Sequence, residues 1–407
     1  MENKEITVAV GMSGGVDSSV AAYLLKAAGY RVIGLFMRNW EEEDENCPAA
    51  KDFQDVVSVC ATLDIPYYTI NFAEQYYESV FASFLEGLKR GITPNPDVFC
   101  NKEIKFKVFL EKAMQIGADY LATGHYAKIG KDYIHKEIEE LANGTASARD
   151  LNRDGSRFSS PTPIVDRLGG EKFKDRDDGA ASCQLLNHFV YTLERASDLN
   201  KDQSYFLYTL KSEQLKKVLF PLENLTKPEI RAIAKDLGLV TSDKKDSTGI
   251  CFIGKRKFKE FIENFIIKTP GNFLNEKGKV IGKHDGLSYY TIGQRKGLGI
   301  GGEGDAWFVA KKDIASNTIT LVQGHEHPML YKRKIEVIDL EFVSGHPPLP
   351  LNCTAKVRYR SEDTPCQLKA EEGKMVVEFT EAVFAPTPGQ SIVFYQGSTC
   401  LGGAIIE

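Results

Sequence analysis

Between the apolar run Ile6 to Val10 and a helical face made by Val20, Ala21, Leu24, Leu25 and Ala28 stands Gly11-Met12-Ser13-Gly14-Gly15-Val16-Asp17-Ser18-Ser19. The run reads as a buried strand and the spacing after it as a helix, so the string is a glycine-rich strand-to-helix turn. Its glycines admit positive φ and let a ligand approach the backbone closely. The first amides of the helix lack partners within it, and the helix dipole adds partial positive charge. Such a turn suits a phosphate or pyrophosphate. It has neither the Gly-Lys-Ser/Thr ending of a Walker loop nor the spaced glycines of a dinucleotide turn. Asp17 can cap the helix, hold magnesium or act as a general base.

A strand feeding a helix recurs along the first half. Arg31 to Met37 reads as a buried strand and Tyr67 to Phe72 as a further strand, with Val56, Val59, Cys60 and Leu63 as one helical face between them. Further helices run through Val80 to Leu88 and Phe106 to Ala113, before a short strand, Tyr120 to Thr123. This alternation predicts an α/β fold, a doubly wound parallel sheet with ligands at the carboxyl ends of its strands. The stretch at about 131–185 breaks the pattern with Gly, Ser, Asp, Arg and Lys, and is expected to be a largely disordered insertion. Order resumes at Phe189, and Thr226-Lys227-Pro228-Glu229 spells a capping box opened by Thr226. From 255 a small mixed domain is expected to about 327, and from 328 closely spaced strands, among them Cys353 to Arg360, suggest a β-barrel or sandwich. The expected domains are therefore 1–254, 255–327 and 328–407.

With 407 residues, 42% hydrophobic and 26% charged, the chain can build two or three ordinary cores. It has no apolar run long enough for a membrane helix and no signal-peptide pattern, so a cytoplasmic protein is expected. A net charge of −5 argues against a uniformly basic coat. Yet Lys255-Arg256-Lys257, Arg295-Lys296, Lys311-Lys312, Lys332-Arg333-Lys334 and Lys356 to Arg360 concentrate in the second half, as an RNA-binding face would require.

None of the eight cysteines forms a Cys-x-x-Cys pair, so no zinc site is expected. Cys100 follows Thr93-Pro94-Asn95-Pro96-Asp97-Val98-Phe99 in what reads as a proline-pinned loop just before a helix, where a thiolate would be stabilised. Cys251 lies in a Ser-Thr-Gly-Ile-Cys loop. The others fall at apolar helix or strand positions, or lack a local context that suggests chemistry.

Taken in order, Gly-Met-Ser-Gly-Gly-Val-Asp-Ser-Ser, Asn-Pro-Asp-Val-Phe-Cys-Asn-Lys-Glu-Ile-Lys-Phe, Ala-Thr-Gly-His-Tyr-Ala, Lys-Asp-Gln-Ser-Tyr-Phe-Leu and Asp-Ser-Thr-Gly-Ile-Cys-Phe-Ile-Gly are joined by Tyr-Thr-Ile-Gly-Gln-Arg-Lys-Gly-Leu-Gly-Ile and Thr-Pro-Gly-Gln-Ser. This set resembles the bacterial-type tRNA-specific 2-thiouridylases, members of the PP-loop ATP pyrophosphatases, over nearly the whole chain outside the insertion. The resemblance implies a sheet of the adenine nucleotide alpha-hydrolase-like type. It also implies that ATP is bound by Gly11, Met12, Ser13, Gly14, Gly15, Val16, Asp17 and Ser18, with further contacts at Met37 and Gly124, and that Mg2+ is used. Cys100 corresponds to the family's nucleophile and Cys251 to its persulfide carrier. Asn95, Pro96 and Asp97 match the loop that meets the target base. His125, Lys201, Asp202, Gln203, Arg358, Tyr359 and Gln390 match positions that contact tRNA. Where this chain has the long insertion, the family has a short hairpin. A sulfur-carrier protein as donor and a monomeric state complete the expectation.

The chemistry fits these residues. A uridine C2 oxygen leaves poorly until AMP is attached to it, and a persulfide is then a suitable sulfur nucleophile. Two rival readings share the loop. An ammonia-dependent amidating enzyme of the GMP- or NAD-synthetase kind has no need of two reactive cysteines, and a non-catalytic tRNA-binding protein has no need of an intact Ser13, Asp17, Cys100 and Cys251.

Overall fold

The computed structural model describes residues 3–40, 48–134, 188–245 and 258–407. Strand β1 (Thr7–Met12) leads through the glycine turn into α1 (Val16–Ala27), then β2 (Arg31–Arg38), α2 (Pro48–Leu63) and β3 (Tyr67–Asn71). Two helical runs, 73–89 and 96–115, precede β4 (Tyr120–Thr123). Each run contains a wide π turn, Tyr77–Phe81 in the first and Cys100–Val108 in the second. After β5 (Ala127–Ile134) and β6 (His188–Arg195), the short β7 (Val218–Leu219) completes a five-stranded parallel sheet of order β3-β2-β1-β4-β7. The chain winds outward from β1 through β2 to β3 and returns to the other side of β1 as β4. That reversal beside β1 is where doubly wound sheets bind their ligands.

Both faces of β1 are covered, as a parallel sheet requires. Val8, Val10 and Met12 pack with Val20, Val56, Val59 and Ile230 of the flanking helices. Ala9 joins the opposite core with Leu35, Phe109 and Leu121. Ile230 belongs to α3 (Lys227–Asp236), whose N-terminus is the capping box read from the sequence: Glu229 accepts from the Thr226 amide and hydroxyl at 2.7 Å each.

Strands β8 (Gly271–Leu274), β9 (Val280–His284), β10 (Trp307–Asp313) and β11 (Thr318–Gln323) form a small mixed sheet, order β10-β11-β8-β9. Residues 331–406 form a closed six-stranded barrel. Strands β12 (Tyr331–Phe342), β13 (Leu351–Lys356), β14 (Thr364–Glu371), β15 (Lys374–Phe384), β16 (Ser391–Gln396) and β17 (Thr399–Ile406) pair in the order β12-β15-β14-β13-β16-β17, and β17 closes on β12. Closure removes the open edges that a sandwich would leave.

Two sequence expectations need correction. The strand expected from Cys353 to Arg360 stops at Lys356, and residues 357–363 form the connection to β14. The insertion does not begin at 131, because Lys131 to Ile134 continue β5, which pairs with β6 through eight residues from Ala127↔Arg195 to Ile134↔His188. The hairpin is therefore present, and residues 135–187, which lie outside the described set, join its two arms. This hairpin extends the barrel sheet: Cys400 and Thr399 of β17 pair with Leu193 and Glu194 of β6. Arg195 reinforces the junction, its guanidinium 3.7 Å above the Tyr395 ring and 2.7 Å from Asp363.

Candidate active site

The glycine turn opens at the carboxyl edge of the sheet. Gly11 pairs with Thr123 of β4 and Met12 with Phe36 of β2, so Met37 and Gly124, each one residue further, flank the turn. Gly14 has φ +71°, and a Cβ there would lie 2.5 Å from the Asp52 carbonyl oxygen. A Cβ on Gly124 would lie 2.7 Å from the Ser18 amide nitrogen. Both positions are closed to side chains, one by conformation as well as space. Ser18 organises the turn, accepting from the Ser13 amide at 3.2 Å and donating to the Gly15 carbonyl at 3.1 Å. At the N-terminus of α1 the cap residue Gly15 supplies no side-chain acceptor. A helix end without a cap needs acceptors from elsewhere, and phosphate oxygens provide them.

Two lysines that sequence reading passed over stand at this turn. Lys227 donates to both carboxylate oxygens of Asp17 at 2.7 Å, and the Tyr126 hydroxyl donates to the same carboxylate at 2.7 Å. Asp17 is thus held by a cation from α3 rather than serving as the cap of its own helix. Lys244 donates to the Gly14 carbonyl at 2.8 Å and pairs with Asp52 at 2.6 Å and Asp55 at 2.5 Å, fastening the turn to α2. Burial works against its charge, but the two carboxylates outweigh that and raise its pKa. The signal for Lys227 was its place inside a capping box, which explains a helix start without needing a lysine.

Cys100 is 1% exposed. The helical run around it begins at Pro96, with Asn95 as cap accepting from the amides of Asp97 at 3.2 Å and Val98 at 3.4 Å. Cys100 therefore does not stand in a loop ahead of a helix. It lies one turn inside, where it opens the π turn, and the first amides are already taken by Asn95. The run reaches the nucleotide turn through Phe109, whose ring lies 3.2 Å from where a Gly11 Cβ would be. Cys251 falls in 246–257, outside the described residues.

The segment before Asn95 is gripped by the barrel. Gln390 donates from Nε2 to the Thr93 carbonyl at 2.6 Å, and the Thr93 amide donates to Pro388 at 2.9 Å. Gln390, expected at a tRNA contact, thus spends one donor on the segment that leads into the Asn95 cap and the helical Pro96 and Asp97. Arg358 is used similarly: its Nη2 donates to the carbonyls of Ile292 at 2.6 Å and Ala385 at 2.8 Å, tying the central region to the barrel. Asp202 is buried, accepting from the Ala196 amide and from the amide and hydroxyl of Ser204; burial pushes its pKa up against those bonds. Gln203 exchanges two hydrogen bonds with the Tyr126 backbone, at 2.7 and 3.0 Å. His125 is half-buried against Phe106 and Phe220, bonded to Thr123 at 2.8 Å; desolvation, and then Lys105, push its pKa well below the usual histidine range. Lys201 and Tyr359 meet where the Tyr359 hydroxyl donates to the Lys201 carbonyl at 3.4 Å. Beside them lies a groove of about 480 Å³ lined by Leu199, Asn200, Asp202, Lys356, Tyr359 and Arg360. Of the residues expected at tRNA, Tyr359 and Asp202 line this groove and Lys201 adjoins it, whereas Gln203, Gln390 and Arg358 chiefly hold other segments in place.

Comparison with known proteins agrees with this architecture. Residues 6–160 and 181–255 match the family described as tRNA methyl transferase HUP domain. Residues 259–323 match its PRC-barrel domain, and 332–406 an aminomethyltransferase beta-barrel domain. The tRNA-specific 2-thiouridylase MnmA of Hydrogenovibrio crunogenus is 48% identical over 413 aligned residues, covering 100% of this chain and 95% of that protein. Those of Lysinibacillus sphaericus and Staphylococcus aureus are 47% and 46% identical, covering 99% and 100% of this chain and 94% and 96% of theirs. With a glycine turn that belongs to the ATP-using PP-loop type, a buried cysteine on the adjoining helical run and relatives of this identity over the full length, the chain belongs to the tRNA-specific 2-thiouridylase family.

Proposed function

We propose that this chain is the ATP-dependent sulfurtransferase that replaces the C2 oxygen of the wobble uridine in tRNA by sulfur. The observation that carries the reading is the nucleotide turn, closed to side chains at Gly14 and Gly124 and left uncapped at α1, with the Cys100 run packed against it through Phe109. The family descriptions speak of methyl transfer, but a turn that receives pyrophosphate has no task in methyl transfer, and the relatives' names speak of thiolation.

In this reading the amides at 14–16 and the lysines at the turn receive the phosphates, and AMP passes to the uridine C2 oxygen as pyrophosphate leaves. Lys227 must yield part of its hold on Asp17 when a more highly charged partner arrives. Among the described residues no cluster of three or more metal-ligating side chains exists. The single carboxylate of Asp17 fits a Mg2+ that takes its other ligands from phosphate and water, and such an ion would neutralise the departing pyrophosphate. Sulfur would come as a persulfide on Cys251, loaded by a sulfur-carrier protein. Cys100 would then attack the inner sulfur of that persulfide, forming a Cys100–Cys251 disulfide and expelling the outer sulfur toward the activated carbon; a reductant would reset the pair. The uridine would have to be flipped out of the anticodon loop to reach this site. We further infer a monomer acting in the cytoplasm. No described helix is long and apolar enough to cross a membrane.

Mass spectrometry of nucleosides from tRNA incubated with ATP and a sulfide or persulfide source tests the reading. 2-Thiouridine formed together with AMP is the expected result. AMP formation stimulated by ammonia and a small acid, and indifferent to tRNA, would overturn it in favour of an amidating enzyme.

A further inference from the structure

A second pair of cysteines lies in the barrel, outside the site described above. Cys353 of β13 and Cys366 of β14 are directly opposite one another in the antiparallel register, with their sulfurs 3.7 Å apart. Partners across an antiparallel pair have Cα atoms about 4.5–5.5 Å apart, inside the span a disulfide bridges. Rotation about the two Cα–Cβ bonds is thus enough to bring the sulfurs together, without moving the strands.

The pair is also reachable. Both cysteines line a surface groove of about 510 Å³, together with Arg333, Gln367, Glu378 and Phe379. Cys366 is buried and Cys353 half-buried, so the two thiols have distinct access. Arg333 is anchored in the groove by its Nε bond to the Phe379 carbonyl at 3.1 Å, and Glu378 is paired with Lys369 at 2.8 Å. A cation thus stands at the groove while the nearby carboxylate is already partnered. The hydrogen bond between them holds the Cys353 thiol below its ordinary pKa and, with burial, pushes the Cys366 thiol up, so Cys353 is the one that attacks first and Cys366 only after Cys353 has lost its charge in the mixed disulfide. The remaining described cysteines outside the active site lack these features. Cys60 lies on α2 and Cys400 faces Tyr395 and Leu193 across its neighbouring strands, so neither stands opposite a second cysteine, and burial pushes the Cys60 thiol up to about 11 and the Cys400 thiol higher.

We propose that Cys353 and Cys366 form a modification site at which a small carboxylate-bearing disulfide is reduced and a cross-strand disulfide is formed. The Cys353 thiolate attacks one sulfur of the small disulfide, the S–S bond breaks, and one small thiolate leaves, giving a mixed disulfide on Cys353. Cys366 loses its proton to solvent and attacks the Cys353 sulfur, expelling the second small thiolate. Two protein thiols are oxidised, one small disulfide is reduced to two thiols, and no other oxidant is required. The bond closes the base of the β13–β14 hairpin, whose 357–363 connection carries Arg358, Tyr359 and the Asp363 that binds Arg195.

The test uses the full chain, glutathione disulfide as the probe, alkylation of the remaining thiols and tryptic mapping. Trypsin cuts after Lys334, Lys356, Arg360 and Lys369, so peptides 335–356 and 361–369 stay together only through a disulfide. Expected is a linked 335–356/361–369 species, lighter by two hydrogens than the two peptides combined, which disappears on reduction and exceeds any linked species that contains Cys60 or Cys400. In Cys366→Ser, Cys353 should instead retain the glutathione adduct. If both cysteines of the wild-type chain are recovered alkylated after exposure, the proposal is overturned. The same holds if Cys353 joins other cysteines as readily as Cys366, or if the serine variant, folded by circular dichroism, gives no adduct. The wild-type arm decides alone should the variant not fold. Thiolation of tRNA by Cys353→Ser under reducing conditions should match wild type, which separates this site from the Cys100–Cys251 chemistry.

Discussion

The nucleotide turn and the surface proposed to receive tRNA are built on opposite plans. The turn is one run of sequence: Gly11 to Ser18 carry the conformation, the close approaches and the uncapped helix end together. The tRNA side is gathered from distant segments. Thr93 is held by Pro388 and Gln390, Tyr359 meets Lys201, and Arg358 reaches back to Ile292. A local motif places its own atoms, whereas a composite surface depends on how well its pieces are joined. Damage at the turn should therefore stop chemistry, while damage at the joints should loosen docking and leave ATP binding intact.

The strongest test on the chemistry side is Cys100→Ser, which should abolish 2-thiouridine formation while leaving ATP affinity, measured by calorimetry, near wild type. Lys227→Met comes next. It leaves Asp17 without its cation and removes a charge from the phosphate site, so the rate of AMP formation should fall by roughly a hundredfold. Retention of full activity would place Lys227 outside the machinery. At a joint, Gln390→Ala deletes the bond to the Thr93 carbonyl. The loss of about 1 kcal/mol should cost several-fold in kcat/KM for tRNA, with ATP affinity unchanged. A fall in ATP affinity of the same size would erase the distinction between the two regions.

A gentler effect is expected at Lys312, which donates to the Gly91 carbonyl at 3.0 Å and whose pKa burial lowers to about 8. Between that value and the ordinary lysine value the unfolded chain binds more protons than the folded one, so this group's contribution to stability rises with pH. The penalty for burying the charge is full below pH 8 and fades above it. Lys312→Met should therefore gain most in Tm, relative to wild type, near pH 7 and lose that advantage toward pH 10. A constant difference would refute the assignment. The smallest effect is expected from replacing 135–187 by a two-residue turn, which should leave Tm within a degree or two because both hairpin arms are retained.

The same contrast explains what could be read without coordinates. The parallel sheet, the glycine turn and the capping box each follow from spacing inside one segment, and each stands where the sequence places it. Lys227 and Lys244 could not be found that way, because their partners Asp17 and Asp52 lie far away along the chain. The start of the Cys100 helix is masked because Pro94 and Pro96 resemble a loop, although a proline at the first helical position following an Asn cap is a start signal. The membership of β5 and β6 in the barrel sheet rests on the pairing with Thr399 and Cys400, which no local pattern encodes.

That hairpin has a practical side. Its arms are fixed to each other along eight residues, and its base is fixed to β17 and to Asp363. Whatever joins residues 134 and 188 is therefore attached at one defined point, away from the paired base. This makes the site a natural splice position for a reporter: a fluorescent domain or an affinity tag inserted there would be carried by the frame of the enzyme without occupying either its nucleotide turn or its barrel. The distance between such a reporter and a labelled tRNA could then be followed while the enzyme turns over.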